Sequence, residues 1–200
     1  MNLFTKQVER RRAAQNSHTH APKEATQMPK IIHNAKAILI DEAKRQLEEN
    51  GYSAMTMRSV ASACGFAVGT IYNYFDSKEV LVGSFVVEDW KNHLDEMAAL
   101  PIGDSKILLG GIYASLSSFI KKHEKLFSDP DAAKIIHHDF TSKHRILRDQ
   151  IAKFILPLCE EKQLEKPDAI SRFLSEAIIS MAIDKADFET VYPVLEKLIK

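Results

Sequence analysis

The chain of 200 residues is poor in the residues that staple, bend or break a protein. Its 2 cysteines, Cys64 and Cys159, are too few for a disulfide framework, which suits a reducing interior. Its 7 glycines and 7 prolines fall below average usage and disfavour an architecture of many turns. No run approaches the ~18 apolar residues of a membrane span, and the first residues lack the apolar core of a signal peptide. Strand-like alternation is missing. So are a Gly-rich phosphate loop, a serine in a nucleophile elbow and a His-Glu-x-x-His motif. These absences predict an all-α cytoplasmic protein that is not an enzyme and needs no cofactor or membrane. Apolar residues at 45% and charged ones at 27% are enough to fill an ordinary core.

Net charge is +0, which argues against a polyanion partner until its distribution is read. Residues 1–29 carry five Lys/Arg against two Asp/Glu, residues 30–80 six of each, and residues 81–200 sixteen against nineteen. The basic excess sits at one end, a modest pointer to a polyanion there.

Residues 1–29 read as a polar extension, because the stretch from Ala13 to Pro29 has almost no large apolar side chain to offset its ordering entropy. Arg10, Arg11 and Arg12 fit a solvated tail better than a minor-groove arm. From Ile31 the pattern turns helical. Ile31, Ile32, Ala35, Leu39, Ala43 and Leu47 share one face, and Asn50-Gly51 stops it. Thr56 has the type and position of an N-cap for a helix from Met57 to Cys64. Gly65 breaks that helix, and another runs from Ala67 to Tyr74. Asp76-Ser77 caps a longer helix from Lys78 to about Leu100. Five more follow: from Asp104 to His123, from Asp129 through His138, from His144 to Leu164 with Pro157 inside, from Lys166 to Ile183, and a last one beginning between Phe188 and Pro193. That makes about nine.

Two short helices joined by a tight glycine turn predict a helix-turn-helix. Ala61 is small where the helices cross, and Gly65 tolerates a left-handed turn. Phe66, Ile71 and Phe75 bury one face of the second helix, leaving the other for a major groove. Gly51-Tyr52, Thr56, Val60-Ala61, Gly65, Gly69-Thr70-Ile71-Tyr72, Tyr74-Phe75, Lys78-Glu79 and Leu81 together resemble the DNA-binding domain of the TetR family of transcriptional regulators. Taken singly, Tyr72, Tyr74 and Phe75 read as bundle core and Thr56 as a simple cap. The joint pattern over about fifty residues favours DNA binding.

The resemblance implies a homodimeric repressor, with a helix-turn-helix domain over residues 30–77 and a helical ligand-binding and dimerisation domain over 78–200. Its partners would be a double-stranded DNA operator, a second copy and a small apolar or aromatic effector. Thr56, Tyr72, Tyr74 and Lys78 would meet phosphates, and Thr70 a base methyl or phosphate. Arg58 would reach a phosphate or a guanine edge. Gly69 would let the backbone approach DNA closely, and Asn73 would contact a base or backbone. The chain departs from the family at Ala67, where a capping Ser or Thr is usual, and at Val68, which can read only a thymine methyl. Those two departures keep a second reading in view: a helical small-molecule binding protein with a degenerate helix-turn-helix.

In the C-terminal half, the resemblance implies an inducer pocket lined by Phe85, Trp90, Met97, Phe119, Phe140 and Phe154, with His93 and Tyr113 as polar handles. Apolar residues recur at helical spacing at Ile170, Phe173, Leu174, Ala177, Ile178 and Met181, and again at Val194, Leu195 and Leu198. Packing within one subunit explains such stripes equally well, and the resemblance favours a dimer contact, with Pro193 confined to the first turn of the last helix. His137, His138 and His144 read as helix surface and not a metal site, and Cys64 and Cys159 as core.

Overall fold

The computed structural model describes residues 34–137 and 140–200, and the side chains of these except 135–143. The chain separates into residues 1–35, of which only Asn34 and Ala35 are described, and a compact unit from Lys36 to Lys200. The expected extension, Arg10 to Arg12, Ile31, Ile32 and His138 therefore lie outside the described residues, as do the side chains of His137 and Phe140.

Every regular element among the described residues is a helix: α1 (Ala35–Asn50), α2 (Met57–Ala63), α3 (Val68–Tyr72), α4 (Lys78–Ala98), α5 (Ser105–Lys122), α6 (Glu124–Phe127), α7 (Pro130–His137), α8 (Phe140–Glu161), α9 (Pro167–Ile183) and α10 (Phe188–Glu196). That is ten where nine are expected. The extra helix is α6, which arises because nothing breaks the chain at His123. That residue closes α5 through its N–H on the Phe119 carbonyl at 3.1 Å, then offers its own carbonyl to Leu126 and Phe127 at 3.0 Å each.

Helix starts follow the capping chemistry. Thr56 Oγ1 accepts from the Ser59 N–H and Ser59 Oγ from the Thr56 N–H, both at 3.0 Å, a reciprocal capping box. Ser77 and Asp104 cap α4 and α5. Asp187 caps α10, so that helix starts five residues before Pro193 and carries the proline inside, not in its first turn as expected. The helix containing Pro157 likewise begins at Phe140, ahead of His144, and ends at Glu161. Its stop is Gln163 in the left-handed region (φ 53), with the Leu164 N–H on the Cys159 carbonyl at 3.1 Å.

Two apolar cores form. The first joins Leu39, Ala43 and Leu47 of α1 with Met55, Met57, Val60, Ala61, Ile71, Phe75, Leu81, Val82 and Phe85, and takes in Leu126 and Ala132 from α6 and α7. The second joins Met97 with buried faces of α5, α8, α9 and α10. Helix α4 thus contributes its first half to one core and its end to the other. Both thiols lie in protective surroundings. Cys159 is fully buried, and burial pushes its pKa up to about 11. Burial raises the Cys64 thiol as well.

Candidate nucleic-acid interface

Helices α2 and α3 meet through a turn built around Gly65. Its φ of 70° is the left-handed conformation a Cβ disfavours. The Gly65 N–H reaches the Ser62 carbonyl at 3.0 Å and the Phe66 N–H reaches Ala61 at 2.9 Å, so the last carbonyls of α2 are satisfied within the turn. At five residues α3 cannot hold itself together. Ile71 and Phe75, one turn apart and both buried, anchor it, each worth about 1.5–3 kcal/mol of burial. The helix ends at Tyr72, short of the expected Tyr74, because the Asn73 and Tyr74 amides bond three residues back, to Thr70 and Ile71.

The start of α2 is held by a polar chain that the sequence does not announce. Ser59 Oγ donates to Gln46 Oε1 at 2.6 Å, Gln46 donates to Glu42 at 2.7 Å, and Arg45 forks onto Glu42. Gln46 is buried. This chain locks the first turn of α2 to α1, and hydrogen bonds from Arg45 and Gln46 hold the Glu42 carboxyl below its ordinary pKa. A serine at the third helical position, facing a glutamine on the preceding helix, is the signal that would have found it.

Of the predicted contact residues, Thr56, Arg58, Ala67, Gly69, Tyr72, Asn73 and Tyr74 are exposed, while Val68 and Thr70 are half-buried. Tyr72 is 50% exposed although it is a large aromatic. The side chains of Arg58, Tyr72, Asn73 and Tyr74 make no hydrogen bond among the described residues, which leaves their donors for an outside acceptor. The start of α3 at Ala67 has no side-chain cap, as the sequence indicates. Gly69 has no internal reason to be glycine: a Cβ there meets nothing within 4 Å, and its backbone is ordinary helix. Lys78 is placed differently from expectation. Its ammonium donates to the Tyr52 carbonyl at 2.6 Å and lies 3.9 Å from the Tyr52 ring centroid. Tyr52 in turn donates its hydroxyl to Glu79 at 3.0 Å. Lys78 therefore ties the start of α4 to the α1–α2 turn and has at most its other two N–H groups for a phosphate.

The predicted effector residues are not all brought together. Phe85 lies in the first core and Met97 in the second. Trp90, His93 and Phe119 do meet: the Phe119 ring lies 5.1 Å from Trp90 and 5.6 Å from His93, edge to face in both cases. Trp90 donates to Gln150 at 2.9 Å, and His93 Nδ1 is within 3.1 Å of both Glu96 and Ser115. Tyr113 is elsewhere, stacked on Phe188 and donating to the Ala186 carbonyl at 2.5 Å. Phe154 packs beside the second core. A cleft of ≈ 790 Å³ takes only Phe85 from the predicted set, and a groove of ≈ 440 Å³ takes only Tyr113. Aromatic content gave no guide to which side chains face space.

The expected dimer stripe also divides. Leu174, Ile178 and Met181 of α9 and Leu195 of α10 are buried within the chain's own core. Phe173 at 61% and Val194 at 60% are exposed, with Leu198; Ile170 and Ala177 are half-buried. His144 bonds to both oxygens of Glu176 at 2.9 Å.

A helix-turn-helix with a bare polar face, carried on a larger helical body, is the arrangement of a DNA-binding domain. Residues 39–84 match the family model for bacterial regulatory proteins of the tetR family, which covers the helix-turn-helix segment. The chain is 29% identical over 56 residues to the HTH-type transcriptional regulator UidR of Escherichia coli (strain K12), a match spanning 28% of this chain and 29% of UidR. It is 23% identical over 147 residues to the HTH-type transcriptional repressor KstR of Rhodococcus jostii (strain RHA1), covering 71% of this chain and 68% of KstR. Its fold is similar to that of a TetR-like transcriptional regulator from Rhodococcus sp. RHA1, with a TM-score of 0.52, 18% identity, and 86% of this chain and 96% of that one covered.

Proposed function

We propose that the protein is a transcriptional regulator that binds a duplex operator as a homodimer in the cytoplasm, represses from it, and is released by a small-molecule effector. The observation that carries the reading is the α2–α3 face. It offers hydrogen-bonding side chains left unused among the described residues, around a glycine whose Cβ position meets nothing within 4 Å. The name of KstR as a repressor, with similarity over most of both chains, favours repression over activation. With net charge near zero, affinity rests on neutral donors and Arg58 more than on a lysine field.

Dimerisation is assigned to the outer faces of α9 and α10, where Phe173, Val194 and Leu198 present apolar surface flanked by Ile170 and Ala177. A two-fold axis there would set the two copies of α3 about one DNA turn, ~34 Å, apart. Selection of operators from random duplexes with the purified protein, followed by salt-dependent gel shifts, tests the whole reading. The selected site should be a two-fold repeat. Arg58→Ala should lose about 1–3 kcal/mol of discrimination at one base pair, and Tyr72→Phe should weaken all duplexes alike. Absence of any enriched sequence and of a salt-dependent shift would favour the second reading, a binding protein with a lapsed helix-turn-helix, for which the uncapped Ala67 is the one structural support.

A further inference from the structure

We propose that the cleft between α1, α4 and the α5–α6 junction binds a small organic anion with an apolar body, and that this anion is the effector. The second half rests on the regulator reading above; the first does not. At ≈ 790 Å³ the cleft is the right size for a small ligand. Leu47, Phe85 and Leu126, all members of the first core, give it an apolar floor. Four ammonium groups line it, from Lys44, Lys121, Lys122 and Lys125.

The charges are unevenly engaged. Lining carboxylates number three, Glu48, Asp89 and Glu124. Asp89 is taken by Lys122 and by His123 Nε2, the latter at 2.8 Å, and Glu124 by Lys185 at 2.8 Å. Glu48 alone keeps its carboxylate without a hydrogen bond among the described residues. Lys44 and Lys121 make no hydrogen bond or ion pair there, and Lys44 stands 5.7 Å from the Phe85 ring centroid. Lys122 and Lys125 each spend one N–H, on Asp89 and on the Glu48 carbonyl, and keep two. Free donors therefore outnumber free acceptors around an apolar floor. An anionic head beside an apolar body satisfies both, where a cation would be repelled and a sugar would leave the ammonium charges unpaired.

The position explains how such a ligand would act. Lys44 and Leu47 belong to the helix that braces α2, while Lys121 and Lys122 end α5 in the body of the chain. An anion held between the two sets favours one spacing of α1 from α5, and its preference for that spacing is the coupling free energy. None of the cleft's residues lies on the α2–α3 face, so ligand and DNA do not compete for the same side chains.

The test uses the full chain and anilinonaphthalenesulfonate, an aromatic anion that fluoresces on entering apolar surroundings, beside its uncharged counterpart phenylnaphthylamine. The wild type should bind the anion saturably, one per chain, and the neutral probe more weakly. The variant carrying Lys44→Gln and Lys121→Gln should bind the anion about tenfold more weakly, since two charge-assisted contacts are lost, with circular dichroism and melting unchanged. Lys106→Gln, in the other groove, should change nothing. Equal binding of the anion by wild type and double variant, or equal binding of the two probes, overturns the site. The anion should also lower operator affinity for the wild type and not for the double variant. Lysine-dependent binding without that response overturns its role as effector. A protein that binds no duplex at all overturns the regulator reading, while the lysine dependence of probe binding still decides the site.

Discussion

Single residues separate what the fold needs from what the surface offers. Ile71 and Phe75 are buried and hold α3; Gly69 touches nothing and costs helix propensity in a helix only five residues long. Replacing it should therefore split two properties that usually move together. Gly69→Ala should raise stability by about 0.5–1 kcal/mol in chemical denaturation, yet weaken operator binding in gel shifts if, as proposed, DNA approaches the backbone there. A variant that gains stability and keeps full affinity would show that the backbone does not approach DNA there. The donors of this face were legible only through the joint pattern that resembles the TetR family, since Tyr72 and Tyr74 taken singly read as core. The tether of Lys78 was not. Its partner is the backbone carbonyl of Tyr52, and a carbonyl carries no residue signature.

At the scale of elements, the junction between the first core and the body is made by the α6–α7 turn. Asp129 accepts from the Ser53 N–H at 2.9 Å and the Ser53 hydroxyl at 2.8 Å, and also from the Asp131 and Ala132 amides that open α7. One carboxylate thus caps a helix and fastens it to the loop ahead of α2. The Ser53 amide is the chief cause that lowers its pKa to about 2. A depressed carboxyl contributes stability that is fully present above its unfolded value near 3.8 and is lost as pH falls through about 2. Melting temperatures between pH 5 and 2 should fall in the wild type with a component that is absent from Asp129→Ala, which starts lower. Parallel curves would show that this carboxylate carries no pH dependence. Caps such as Thr56 and Asp104 were readable because they are named by side-chain type. The stops at Gln163 and Lys185 were not, since both residues take the left-handed conformation that sequence assigns to glycine. The short helix α6 escaped for the opposite reason: no residue at His123 interrupts the helical pattern.

For the whole molecule, the stripe on α9 shows what periodicity can and cannot decide. Residues 170–181 recur at helical spacing on a face wide enough to serve both a core and a partner. Burial divides it: Leu174 and Ile178 are fully buried, and Phe173 looks outward. The two kinds of position should respond differently to change. Phe173→Glu should give folded monomers in light scattering at micromolar concentration, with helical content intact and operator affinity reduced. Leu174→Ala should keep the dimer but cost about 2–5 kcal/mol of stability, as a vacated core site does. A Phe173→Glu protein that remains dimeric would move the interface elsewhere.

The membership of α4 in both cores has a mechanical consequence. At 21 residues the helix is ~31 Å long, gripped by the second core near Met97 and by the first near Leu81. A rod held in this way is a lever whose fulcrum is its far end. A rotation of about 5° at the Met97 end sweeps the Lys78 end through ~3 Å, and two such rods related by a two-fold axis change their span by up to twice that. In the dimer proposed above, set against a groove-to-groove distance of ~34 Å, such a swing would be enough to take the two copies of α3 out of register with a duplex.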